Sequence, residues 1–134
     1  MAGIIVDIDG TLLSGNNGID KTIAWVNQQS KRYRIYLVTG RPEEERANTT
    51  RALKKNGVKY NRLYMKNLPD GHENTVKFKK QKAEDLKKAD NIIMAVDNDP
   101  DSRAAYSSVG IPVKSPSSLP NLIEANKGFW QGIF

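Results

Sequence analysis

The chain has 134 residues, 38% of them apolar, and a formal charge of +6, which allows one compact core and leaves too little for two ordinary domains. It has no cysteine, which excludes a disulfide scaffold, a thiolate metal site and a thiol nucleophile. The positive excess fits an anionic partner or a solvated surface, and the lysines of Lys77–Lys82 and Lys87–Lys88, interrupted by Glu84 and Asp85, suit either.

In chain order, the opening MAGIIVDIDG has no basic lead-in and no cleavage pattern, so it reads as neither signal peptide nor membrane span, and a cytoplasmic protein is expected. Gly3–Ile8 is a β-branched run that predicts a strand, with Asp7 and Asp9 at its end. Ile19, Ile23 and Val26 then recur at helical spacing. Arg34–Gly40 predicts the second strand, followed by a helix with Pro42 in its first position, Glu43, Glu44 and Glu45 at the positive end of its dipole, and Ala47, Thr50 and Leu53 in phase. Gly57 suits the position past its end. Arg62–Met65 predicts the third strand, and Lys79, Ala83 and Leu86 the next helix, with Lys77, Lys79 and Lys80 near its start and His72, the sole histidine, in the loop before it. Asn91–Asn98 reads as the fourth strand, Ala105 and Val109 as a helix ended by Gly110, and Ile111–Lys114 as the fifth strand. The tail from residue 115 begins as a Pro/Ser loop, with a short helix expected at Leu119–Asn126; Phe129, Trp130 and Phe134 are expected to pack on the domain or on a neighbour.

Strands alternating with helices imply right-handed crossovers. The expected fold is α/β, a three-layer Rossmann-like domain over residues 1–134 with a mainly parallel five-stranded sheet. In such a sheet ligands bind at the carboxyl ends of the strands, and polar residues fall at those ends: Asp7 and Asp9, then Thr39, then Asp97.

Asp7-Ile8-Asp9-Gly10-Thr11-Leu12 resembles the first motif of the haloacid dehalogenase (HAD) superfamily of aspartate-dependent phosphotransferases. YLVTG, ending in Thr39 and Gly40, resembles the second. A lysine in the third helix and the acids Asp97 and Asp101 resemble the third and fourth, so the likeness runs over about residues 4–101. Helical phase favours Lys79 as the lysine, because Ala83 and Leu86 follow on its face, with Lys77 next. The resemblance implies that Asp7 is the nucleophile, that Asp9 protonates the leaving oxygen and then deprotonates water, and that Thr39 and neighbouring amides hold the phosphoryl group. Gly10 would let the chain turn after the strand. Gly10, Thr11, Gly40 and Arg41 are the substrate-binding candidates, Arg41 as a fork on phosphate. Magnesium is the expected metal, since it takes hard oxygen ligands, with Asp7, Asp97, the Asp9 carbonyl and, as an outer contact, Asp101 around it.

Gly10 to Thr39 and Thr39 to Lys79 are too short for a substantial cap domain, which suits a phosphate on a large molecule, or a small one if another subunit supplies a lid. VTGRPEEERANTTRAL and AVDNDPDSRAAYSSVGIPV are similar to small bacteriophage and actinobacterial HAD proteins related to the phosphatase domain of polynucleotide kinase. That implies removal of a terminal phosphate, such as a 3′-phosphate, from nucleic acid or a nucleotide. A kinase half is not expected, as there is no G-x-x-x-x-G-K-[ST] loop. A small-molecule phosphatase, a phosphotransferase to another acceptor and a non-catalytic binding module are the alternatives.

Overall fold

The computed structural model describes residues 2–123. In chain order they form β1 (Ala2–Val6), β2 (Leu13–Ser14), β3 (Asn17–Gly18), α1 (Asp20–Gln29), β4 (Tyr33–Pro42), a 3-10 turn (Glu43–Glu45) and α2 (Arg46–Lys55). Then come β5 (Arg62–Lys66), α3 (His72–Ala89), β6 (Asn91–Val96), α4 (Pro100–Ser108), β7 (Val113–Lys114) and a second 3-10 turn (Pro116–Ser118).

Strand patterning explains the layers. Successive side chains of a strand point to opposite faces, and here both faces are apolar: Ile4, Val6, Ile35 and Leu37 pack with Ile23, Val26 and Leu53 of α1 and α2. Ile5, Tyr36 and Val38 pack instead with Phe78, Ala83 and Leu86 of α3 and Tyr106 of α4. Each fully buried Ile, Leu or Val contributes on the order of 1.5–3 kcal/mol, so the central strands are clamped from two sides. The five strands form a parallel sheet in the order β5-β4-β1-β6-β7, as expected for a HAD-like α/β fold. Strand order reverses at β1, whose Val6 pairs with Leu37 on one side and Val96 on the other. The crevice of such a fold therefore opens above Val6, Thr39 and Val96.

Several boundaries differ from those expected. Asp7 and Asp97 lie just past the last paired residues of β1 and β6, because the chain turns there toward the crevice. Pro42 does not begin a helix: it stays extended (φ −71°, ψ 154°) and pairs with Lys66 after a register shift, a geometry the proline ring permits as readily as helix. Glu43–Glu45 make only a 3-10 turn, and α2 starts at Arg46. Helix α3 starts at His72, before the expected site, since Gly71 (φ 122°) makes the bend and nothing between His72 and Lys77 breaks a helix. Lys79 therefore sits in the third turn. After Asp9 the chain forms a β-hairpin of β2 and β3.

Among the described residues, a hairpin and α1 separate β1 from β4, and α2 with β5 separates β4 from α3, with no cap domain between them. Leu119 is extended and buried, so the expected helix does not start there; Asn126, Phe129, Trp130 and Phe134 lie outside the described residues. No described helix is long and apolar enough to cross a membrane.

Candidate active site

Asp7 is 4% exposed at the crevice floor, and Lys79, Thr11 and Asn98 donate to its carboxylate. Lys79 Nζ donates to Oδ1 at 3.1 Å and Thr11 Oγ1 to Oδ2 at 3.1 Å. The Asn98 amide, oriented to satisfy its surroundings, donates to Oδ2 and to the Asp9 carbonyl, both at 2.9 Å. Burial and the Asp97 charge outweigh Lys79 and push the Asp7 carboxyl up to about 7.

Lys79, 3% exposed, bridges Asp7 and Asp97, its Nζ lying 2.7 Å from Asp97 Oδ2. Burial works against its charge, but Asp7 and Asp97 prevail and hold its pKa above the ordinary value. Lys77 is exposed. Helix α3 thus delivers a fixed cation between the ends of β1 and β6. Asp97, fully buried, also accepts the Asp99 amide at 2.9 Å.

The chain after Asp7 turns through Thr11, Leu12 and Leu13 amides that all donate to the Ile8 carbonyl. Gly10 has φ 77°, and a Cβ there would strike the Asn98 amide, so two constraints require glycine. The turn carries Asp9 to the mouth, where Arg41 holds it: Nε donates to Oδ1 and Oδ2 at 3.1 and 3.0 Å, and Nη2 to Oδ1 at 2.8 Å. Arg41 also donates to Thr49 Oγ1 and the Gly15 carbonyl.

From β4, the buried Thr39 accepts the Arg41 amide at 3.0 Å, which leaves its hydroxyl proton available to donate. A Cβ on Gly40 would meet Thr75 Cγ2 at 2.6 Å, so α3 approaches β4 this closely only at a glycine. Behind Thr75 stands Lys66, 4% exposed, whose Nζ donates to Thr75 Oγ1 at 3.0 Å. Sequence reasoning missed Lys66 and Asn98. Lys66 directly follows the predicted strand Arg62–Met65, and Asn98 is the last residue of the predicted strand Asn91–Asn98, so position at a strand end was the available signal for both.

Asp7, Asp9, Gly40, His72, Thr75, Lys79, Asn98 and Asp99 line a cavity of about 350 Å³. Of the groups expected around a metal, Asp7, Asp97 and the Asp9 carbonyl lie together, while Asp101, expected as an outer contact, stands at the rim. Set in the first turn of α4, its side chain is 72% exposed and accepts from His72 Nε2 at 2.9 Å. His72 is no loop residue: it opens α3 at the rim, and Asp101 and Asp99 raise its pKa. Asp99 caps α4, accepting from the Ser102 amide.

The donor set suits a hard divalent cation. Asp7 and Asp97 put two buried carboxylates against one ammonium, and the Asp9 carbonyl faces the same space through Asn98. One net buried negative charge and oxygen-only donors are the chemistry magnesium satisfies.

Fold and site geometry define a HAD-like α/β domain with acidic residues at the strand ends around its switch point. The family profile of the HAD superfamily, subfamily IIIB (acid phosphatase), matches residues 16–110, and the chain belongs to that family of phosphomonoesterases, whose superfamily is typically metal-dependent. No functionally curated protein matches the chain in sequence. Among solved structures, the fold is similar to a chain of the Pnkp1/Rnl/Hen1 RNA repair complex (TM-score 0.75, 19% identity), over 85% of this chain and 42% of that one. A second structure of the Pnkp1/Rnl/Hen1 complex matches with TM-score 0.74 at 19% identity, over 85% and 45%. The chain therefore spans less than half the length of those relatives. An uncharacterized protein from Corynebacterium glutamicum matches over 93% of this chain and 92% of its own, with TM-score 0.56 and 17% identity.

Proposed function

We propose that the protein is a magnesium-dependent phosphatase working through an aspartyl-phosphate on Asp7, and that its substrates are phosphorylated nucleic-acid ends, 3′-phosphates foremost, or nucleotides. The observation that carries the mechanism is Lys79 held between Asp7 and Asp97. The family supports hydrolysis of a phosphomonoester, while the charge of +6 and the likeness to a chain of an RNA repair complex support the substrate class. That substrate class in turn supports a cytoplasmic setting.

In this mechanism an Asp7 oxygen attacks phosphorus while the bond to the leaving oxygen breaks, and Asp9 gives that oxygen its proton. Water then attacks the aspartyl-phosphate, Asp9 takes the proton, and inorganic phosphate leaves. Lys79 opposes the effect of burial on Asp7 and offsets charge on the transferring group. Thr39 and the amides around Gly40 hold the phosphoryl oxygens. Bound magnesium, held by Asp7, Asp97 and the Asp9 carbonyl, would draw negative charge from those oxygens. Arg41 holds Asp9 at the mouth, beside the leaving oxygen.

The test is phosphate release with magnesium from 3′- and 5′-phosphorylated oligonucleotides, mononucleotides and an aryl phosphate, with Asp7→Asn as control. Selective turnover of an oligonucleotide end, lost in Asp7→Asn, is expected. Turnover retained in Asp7→Asn overturns the nucleophile; preference for small esters overturns the substrate class.

A further inference from the structure

We propose that the strand bearing the terminal phosphate leaves the catalytic cavity past the β2–β3 hairpin and runs along α2, where Arg51 and Lys55 hold its backbone phosphates; this rests on the nucleic-acid reading above. Three depressions share their lining in succession. Asp9 lines both the catalytic cavity and a second depression of about 350 Å³, which lies between the hairpin tip and Asn48. Asn16 and Asn48 pass it on to a third of about 180 Å³, which ends at Arg51 and Lys55.

The direction follows from the chemistry. Asp9 is the group placed to protonate the leaving oxygen, so the leaving nucleotide lies on the side of Asp9 away from Asp7, which is where the second depression opens. Its neutral amides suit a sugar and base edge, and Glu45 there is set against the charge of Arg41.

The walls are pre-built. Arg41 Nη2 holds the Gly15 carbonyl at 2.8 Å. Asn56, at the C-terminus of α2, donates to the Asn16 carbonyl and accepts the Gly18 amide, both at 3.1 Å, so the hairpin is tied to α2 at two points. Arg51 and Lys55 are one turn apart on one exposed face, and Arg51 donates to the Asn48 amide oxygen. On the lysine-rich α3, Lys82 lies over the Tyr64 and Phe78 rings and Lys87 donates to the Val109 carbonyl, while the exposed Lys80 and Lys88 line none of the three depressions.

The experiment compares wild type, R51Q/K55Q and an α3 control, K80Q/K88Q, on a 3′-phosphorylated oligonucleotide and an aryl phosphate, and measures binding of the same oligonucleotide, fluorescently labelled, by anisotropy over a range of KCl. R51Q/K55Q is expected to weaken oligonucleotide binding about tenfold and to flatten the slope of log affinity against log salt by about 1.4, as two lost phosphate contacts on a single strand predict. It should also raise the oligonucleotide KM far more than the aryl phosphate KM. Unchanged affinity and slope overturn the track, as does an equal or larger effect of K80Q/K88Q. Wild type inert toward every ester would sink the hydrolase reading instead, while the binding arm would still decide the track.

Discussion

Arg41 and Asp9 form a two-pronged ion pair across the cavity mouth, with Arg41 Nε and Nη2 both on the carboxylate at 2.8–3.1 Å. One arginine thus positions both the proposed general acid and, through the Gly15 carbonyl, the hairpin beside it. Arg41→Gln is expected to lower kcat/KM about 100-fold on an alkyl phosphate, whose leaving oxygen needs a proton, and much less on a p-nitrophenyl ester, whose leaving group does not. Equal losses on both esters would show that Arg41 acts only in phosphate binding.

Lys79 is buried between two carboxylates whereas Lys77 is exposed. Lys79→Ala should cut kcat about 1000-fold and cost about 3 kcal/mol, because it strands two buried acids; Lys77→Ala should change neither beyond about twofold. Combining Lys79→Ala with Asp97→Asn should recover part of the stability and none of the activity. Urea melts and steady-state kinetics decide, and matching effects at the two lysines would refute the assignment.

With magnesium chelated, the Asp7 carboxyl titrates near 7 in the fold against 3.8 unfolded. Between those values the native state holds a proton the unfolded chain has released, so this group makes stability fall as pH rises from about 4 to 7, by on the order of 4 kcal/mol at most, and level off above. Asp7→Asn should remove that slope, and magnesium should reduce it by favouring the carboxylate. Denaturant midpoints at pH 4.5 and 7.5, with EDTA or magnesium, measure both effects; identical slopes in wild type and Asp7→Asn would contradict the prediction.

Tyr106 is fully buried, and its hydroxyl has no hydrogen-bond partner among the described residues. Burial lifts its pKa well above the ordinary value. Tyr106→Phe deletes an unsatisfied polar atom without leaving a large void, and should stabilise the protein by about 1 kcal/mol with kcat unchanged. A loss of stability in the same urea melts would show that the hydroxyl has a bonding partner.

How much of this was legible in the sequence depended on whether a residue's neighbours lie close along the chain. Asp7, Asp9, Gly10 and Thr11 share one turn, and Thr39 and Gly40 one strand end, so short-range order placed them together at the crevice. Lys79 was reachable through helical phase, although the start of its helix was not: Gly71 supplies a bend that composition near the lysines did not announce. Pro42 was misread because its φ serves a strand end and a helix start equally, and only pairing with Lys66 across β4 and β5 selects the extended form. The hairpin carries a local signal, a Gly15-Asn16 tip between residues that pair.

By itself the sequence determined the α/β class, the parallel five-stranded sheet and the positions of acids at strand ends, because alternation of short apolar runs with helical repeats leaves few other ways to bury both faces of a sheet. Tertiary structure alone decided who faces whom. Asn98 on Asp7, Lys66 behind Thr75, Arg41 across Asp9, and Asp101 turned out to His72 each join segments whose separation along the chain carries no local pattern; α3 brings Thr75 and His72 to their partners, while α2 and the hairpin hold Arg41.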